Sequence, residues 1–348
     1  MSRTTPPRPV DVTALFPQLA SLARTATRLH PRPGAPTPHD SSVGGPLLWP
    51  ADEPWPHCAG PHVWDQVNAA LSPQDVRAQR RDRADPAGRP DGSTETAGDT
   101  TEERAVHQRA DAGHPWPGGP IAMLPVAQLY VRDVPSLRPP GGSHDDVLQV
   151  LWCPFDHPAH PRTTLFWRSA ATVADLIGAP PEPPAVQFPG YLPEPCLLEP
   201  EQVTEYPHFM ELSEELQQRL KDWGRWQTAG AAVDSFYAPA PEELYMNKLS
   251  VAPGWKAGGW TRWGLTDPEP RLCPACGVEA QPLLTIATSE WDAGTEDWAP
   301  EEDRSHPVAS LPGHPPANFT SLDLARGYDL QLHVCPASQD HPHIELVQ

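Results

Sequence analysis

The 348-residue sequence predicts an internally duplicated protein of several strands and a few helices, joined by long Pro-rich loops. Three observations lead there. Short apolar or alternating segments of strand period recur between Pro- and Gly-rich stretches. Amphipathic helical spacing is confined to a few short places. Three blocks of the first half reappear in the same order in the second.

Residues 1–10 are Pro-rich, and Asp11 is placed to cap a helix carrying Leu15, Leu19 and Leu22 on one face, with Leu29 beyond; Pro17 blurs its start. The loop GGPLLWPADEPWPHCAGPH follows. With its prolines lowering the ordering entropy and Trp49 and Trp55 to pack it down, it reads as a stiff strap across the sheet. Residues 73–115 are charged and free of Phe, Trp and Tyr. They read as a mobile insertion with one transient helix near Thr101–Ala110. Order returns with the strand MLPVAQLYVRD, then DDVLQVLWCPFDH, apolar on both faces around Leu148–Trp152 and so central, and then TTLFWR. ATVADLIG reads as a short helix stopped at Gly178. The clearest helix runs from Glu211 to Trp226, with Ser213 as N-cap and Leu212, Leu216, Leu220 and Trp223 at helical spacing. PLLTIATSEWD and YDLQLHVCP are the last strands, separated by a Pro- and acid-rich loop from Gly294 to Asn318.

The repeat sets the organisation. GGPLLWPADEPWPHCAGPH answers to GGWTRWGLTDPEPRLCPACG, with Gly45 and Gly259 214 positions apart and Cys58 and Cys273 215 apart. MLPVAQLYVRD answers to LLTIATSEWD, and VLQVLWCPFDHPAH to DLQLHVCPASQDHPH, with Cys153 and Cys335 in register. The expected division is residues 1–40 as an N-terminal extension with one helix, 41–205 as the first half, 206–246 as a linking helical region and 247–348 as the second half. In block order and in the motifs GGPLLWPADEPWP, MLPVAQLYVRD, DVLQVLWCPFD and KAGGWTRWGLTDPEP, the chain resembles the YwqG-like family, a bacterial family of unknown function. The resemblance implies an α+β fold with an internally duplicated, mostly antiparallel β-sheet, and no established catalytic residue. Thr288 stands where that family usually has Gln, and the cysteines mark a subgroup.

The strongest chemical signal is LCPACG: Cys273-x-x-Cys276-Gly is a knuckle turn that points two thiolates at one tetrahedral ion, with Gly277 relieving the backbone. The repeat supplies the other half of the site. The expected ligands are Cys273, Cys276, Cys335 and His341, or His343 in its place; the matching first-half set is Cys58, His62, Cys153 and His157. One or two structural Zn²⁺ ions are therefore expected, each closed by four protein ligands, and the strap would be clipped to a strand end. Cys196 has no partner in this scheme and reads as a buried thiol.

Net charge is −20, from 45 Asp+Glu against 25 Lys+Arg, with a pI near 5.0. That disfavours nucleic acid and anionic membranes and leaves a basic protein partner. The start has no apolar leader segment, and no run of about 18 apolar residues occurs, so a cytoplasmic location is expected. No phosphate loop, nucleophile elbow, HExxH helix or dinucleotide fingerprint is present. The acidic pairs Asp145–Asp146 and Glu290–Asp292 are the carboxylates worth testing for acid–base work, the latter expected on one face at a strand end. The expected function is a non-enzymatic protein-binding module with structural zinc, of inhibitor or immunity type, using acidic surface and exposed Trp291 and Trp298. The alternative is a zinc-dependent hydrolase using the first-half Cys/His site.

Overall fold

The computed structural model describes residues 2–62, 70–84, 118–157, 159–228, 235–304 and 317–348. Strands are numbered along the chain. Among the described residues one antiparallel sheet runs, in spatial order, β2 (Arg32–Pro33), β9 (Cys196–Leu197), β3 (Ser42–Val43), β6 (Leu124–Tyr130), β7 (Val147–Asp156) and β8 (Pro161–Arg168). A second runs β10 (Glu201–Glu205), β1 (Arg24–Arg28), β11 (Lys256–Gly258), β12 (Gln281–Ile286), β13 (Leu330–Val334) and β14 (Ile344–Val347). A ribbon joins β4 (His57–Cys58) to β5 (Ile121–Ala122).

The two sheet orders are the same list written twice. Replacing β2, β9, β3, β6, β7 and β8 by β10, β1, β11, β12, β13 and β14 converts one into the other. In that equivalence β1 and β9 correspond, and each lies beside a core strand far from it in the chain, β1 beside β11 and β9 beside β3. Residues 1–40 thus supply β1 and β2 to the sheets.

A buried glutamine repeats the symmetry in chemical detail. Gln149 on β7 donates to the Leu48 carbonyl at 2.9 Å, and Gln331 on β13 bonds both the amide and the carbonyl of Arg262, at 3.1 and 2.6 Å. Each glutamine lies four residues before its half's cysteine, Cys153 or Cys335. Each partner lies three residues past the glycine pair of its loop.

The main core joins the apolar faces of both sheets, drawing Val126, Leu148, Val150 and Trp152 from one and Leu284, Ile286, Leu330 and Leu332 from the other. β7 is covered on both faces, as its sequence predicts. Its alternate residues Leu151, Cys153 and Phe155 pack beneath Trp49, Trp55 and Met123 of the strap and its neighbour. Trp55 also donates its indole N–H to the Met123 carbonyl at 2.9 Å. A further apolar cluster unites α1 (Val12–Leu15), through Val12, with α3 (Glu214–Leu220), α4 (Trp223–Gln227) and α5 (Pro241–Tyr245), through Leu216, Leu220, Trp226 and Tyr245. Asp11 and Ser213 cap α1 and α3 as expected.

Several expectations are corrected. The first helix stops at Leu15 and continues only as a tight turn over Pro17–Leu22, because Pro17 lacks an N–H and its ring blocks the preceding turn. Residues 73–84 form a helix, α2 (Pro73–Ala84), rather than loop. Ser72 and Asp75 bond each other at its start, Val76 enters the main core, and Arg80 reaches Glu194 and the carbonyls of Pro189, Leu192 and Ser321. The helix expected near 101–110 lies outside the described residues. ATVADLIG is not helical beyond a turn at Ala170–Thr172: its backbone pairs with the strap instead, Ile177 N to Trp49 O at 2.9 Å and Ala51 N to Asp175 O at 3.0 Å. The loop after Gly294 contains a turn at Glu296–Trp298 and the short helix α6 (Glu301–Arg304).

One buried ion pair holds β10, β1 and β11 together. Lys256 Nζ donates to both Glu205 oxygens, at 2.7 and 2.8 Å, and to the Trp260 carbonyl at 2.8 Å. Glu205 also accepts from the amides of Ala252 and Trp260, at 2.9 and 2.7 Å. A Cβ on Gly259, at φ +76°, would sit 2.2 Å from Glu205 Oε2, so the second glycine of the KAGG motif is a steric requirement of this ion pair. Lys256→Met should therefore cost about 3–5 kcal/mol in denaturant unfolding, since it strands a buried carboxylate. Gly259→Ala should also destabilise, and a neutral outcome for both would remove the pair from its central place. A second prediction concerns pH. Burial raises the Asp329 carboxyl to about 6, against the pull of Arg262. The folded group binds its proton more tightly than the unfolded one, so its contribution to stability is complete below about pH 4 and lost as pH rises through about 6. Asp329→Asn should flatten the decline in unfolding free energy across that window. Identical pH profiles for variant and parent would exclude Asp329 as the source.

Candidate metal centres

Both expected ligand sets come together. In the first half the strap ends in β4, where Cys58 pairs opposite Ile121, and turns back through Gly60 at φ +87° to present His62. β7 contributes Cys153 from the face that the strap covers, and the turn after β7 contributes His157, whose amide bonds the His160 carbonyl at 2.9 Å. Cys58 Sγ lies 3.5 Å from His157 Nε2, and Cys153 Sγ lies 3.2 Å from His62 Nε2. All four donor atoms fall within 4.8 Å of one another.

In the second half a hairpin closes the knuckle. Leu272 bridges Glu279, Cys273 N donates to Val278 O at 2.8 Å, and Gly277 N donates back to Cys273 O at 2.8 Å. Gly277 has φ +73°, the conformation the sequence assigns it, and no heavy atom lies within 4 Å of where its Cβ would be; the requirement is conformational. Cys335 follows the end of β13. The next turn brings His341 Nδ1 to 3.3 Å from Cys335 Sγ and 3.6 Å from Cys273 Sγ, and Cys276 Sγ stands 3.4 Å from Cys335 Sγ. These four donors also lie within 4.8 Å of one another. Of the two histidines left open by the sequence, His341 joins the cluster, and His343 instead bonds Thr163 Oγ1 at 2.7 Å beside Glu345.

A tetrahedral ion with Zn–S near 2.3 Å and Zn–N near 2.0 Å has ligand–ligand edges of roughly 3.3–3.8 Å. The five contacts above, from 3.2 to 3.6 Å, run close to that range, so each cluster could hold a metal ion. The electrostatics suit neutral imidazoles: burial, then Arg162, lowers His157 to about 4, and the same causes lower His62. Burial and the neighbouring Cys58 push the Cys153 thiol up, a preference that a bound dication inverts. At Cys335 burial is outweighed by hydrogen bonds from His341, the Ala337 backbone, Cys276 and Cys273, which hold the thiol down to about 6.

The expected acid–base and surface residues are placed otherwise. β12 ends at Ile286, so Glu290 and Asp292 do not flank a strand end. Glu290 turns inward, 1 % exposed, and accepts from Trp255 N at 2.9 Å, whereas Asp292 caps the turn at Thr295. Asp145 and Asp146 bond Ser143 Oγ and Ala170 N at the start of β7. Trp291 and Trp298 are buried, 8 % and 0 % exposed, and Trp298 donates to the Asn247 carbonyl. The acid-rich segment around them folds inward because Arg8, Arg28 and Arg32 stack on those rings. Cys196 is buried in the main core and donates to Phe319 O at 3.4 Å, as a structural thiol.

Sequence reasoning missed two sets of residues. Gln149 and Gln331 hold the loops that carry the ligands; the recurring Leu-Gln four residues before each cysteine was the available signal. Arg28, His30, Glu201 and Glu290 form a polar cluster in which Arg28, His30 and Glu290 are fully buried, and no spacing motif announces it. His30 lies between Glu201 at 3.2 Å and Glu290 at 3.6 Å, and Thr5 of the N-terminal segment closes over Glu201.

Among the described residues no helix is long and apolar enough to cross a membrane. No protein-family model matches the chain, and no curated protein matches it.

Proposed function

We propose that this chain is a zinc-stapled binding module of the YwqG-like kind: two structural Zn²⁺ ions, one in each half, and no catalytic activity of its own. The observation that carries the reading is the closure of both clusters, each with four protein donors within 4.8 Å. A closed tetrahedral site keeps no position for a water or substrate, which argues against the hydrolase alternative. With metal bound, Cys58, His62, Cys153 and His157 would fix the strap to β7, and Cys273, Cys276, Cys335 and His341 would fix the knuckle to the end of β13. The metal's part is charge and coordination; positioning the loops is the work of the chain.

Binding is the function left to such a scaffold. Its charge of −20 favours a basic partner. With Trp291 and Trp298 buried, the surface that best fits such a partner is the knuckle loop. Three of the seven exposed large hydrophobic side chains among the described residues, Leu265, Leu272 and Val278, lie on it, beside exposed Asp267, Glu269 and Glu279.

Protein purified without added metal or a histidine tag should contain two equivalents of zinc by mass spectrometry of the elements. Its absence, or a different ion, would sink the zinc reading. Cys273→Ala should remove one equivalent and lower the melting temperature, whereas His343→Ala should keep both. Pull-down at low and moderate salt should retain a basic protein from the parent and not from Leu272→Ser/Val278→Ser. Equal retention by both, or none by the parent, counts against the binding surface.

A further inference from the structure

The two clusters meet solvent differently. Both sulfurs of the first are buried, Cys58 8 % and Cys153 0 % exposed. In the second, Cys276 is exposed at the tip of the hairpin, while Cys335 behind it is 1 % exposed. Their sulfurs are 3.4 Å apart. A disulfide requires about 2.05 Å, so closure asks for a movement of only about 1.4 Å by a hairpin tip.

We infer that Cys276 and Cys335 are an oxidant-sensitive pair: hydrogen peroxide converts them to a disulfide, the second-half ion leaves, and the first-half ion stays. The statement about the ions rests on the zinc reading above; the thiol pair does not. The Cys276 thiolate attacks one peroxide oxygen, forming an S–O bond as the O–O bond breaks and hydroxide departs. The Cys335 thiolate then attacks the Cys276 sulfur, forming the S–S bond as the S–O bond breaks and a second hydroxide departs. Two thiolates, one peroxide and two protons give one disulfide and two waters, the sulfurs supplying the two electrons. Only Cys273 and His341 then remain for the ion, too few for a closed site. The new bond joins the hairpin to the end of β13, so the oxidised hairpin stays tethered where the ion had held it.

The buried site is the internal control. The zinc-loaded full chain is treated with graded hydrogen peroxide in the presence of a colorimetric zinc chelator, and the products are mapped by peptide mass spectrometry. One of two equivalents should be released, at least tenfold faster than the other, together with a Cys276–Cys335 linkage; dithiothreitol and added zinc should restore the starting state. Release of both ions at one rate, retention of both after Cys276 has been oxidised, or a Cys273–Cys276 linkage in place of the expected one would overturn the proposal. Protein found to hold no zinc counts against the proposed function alone, and the linkage map of that same sample then decides the thiol pair. Because Cys276→Ser removes a donor of the ion itself, Cys58→Ser serves as the second variant, and peroxide should still release the second-half ion from it.

Discussion

β1 is hydrogen-bonded on one side to β10 and on the other to β11, and β9 is held in the same way between β2 and β3. Each sheet is therefore continuous only when the chain has brought in a strand from a distant stretch of the sequence. Everything else is arranged around that pairing. Lys256 and Glu205, from the strands flanking β1, meet in a fully hydrogen-bonded pair, and Gly259 exists in the form it does because a side chain there would strike both Glu205 and Ala26 of β1. The core between the sheets takes side chains from both halves.

The loops that carry the Cys and His ligands are rich in proline and poor in regular structure, and a loop of that kind needs fixed points. Three kinds recur in each half. A glutamine on the long strand holds the loop backbone near its start. Aromatic rings cover the loop's middle, with Trp49 and Trp55 packed at 5.1 Å in the first half and Trp263 beneath Arg271 in the second. The Cys/His cluster stands at its end. The first two are hydrogen bonds and aromatic or cation–π contacts of about 1 kcal/mol apiece beyond burial. Metal coordination is worth far more, on the order of 10 kcal/mol in small zinc peptides.

What the sequence disclosed and what it hid divide along one line. Strands β6, β7, β8, β12 and β13 were legible because their apolar spacing matches burial, and the ligand sets were legible because thiols and imidazoles recur in register between the halves. The helix at 73–84 was hidden because one of its charges serves as an anchor: Arg80 reads as solvated until its contacts with Glu194, Pro189, Leu192 and Ser321 are known. Trp291 and Trp298 misled for the same reason in reverse, since acidic neighbours suggest a wet surface and arginines from the N-terminal third cover the rings. The distant pairing of β1 and β9 had no local signature at all. Pairing across 228 positions, as between Arg28 and Lys256, is a property of topology and not of residue pattern.

That separation has a consequence for biosynthesis. β1 leaves the ribosome long before β11, and at about 5–20 residues per second the interval between Arg28 and Lys256 lasts roughly 10–50 s. For that time a nascent strand with a free hydrogen-bonding edge waits in the company of other nascent chains. Its composition suits the wait: Arg24 and Arg28 stand at its two ends with threonines between, so the strand is charged and sparingly apolar until Glu205, Glu201 and Glu290 arrive to neutralise what kept it apart.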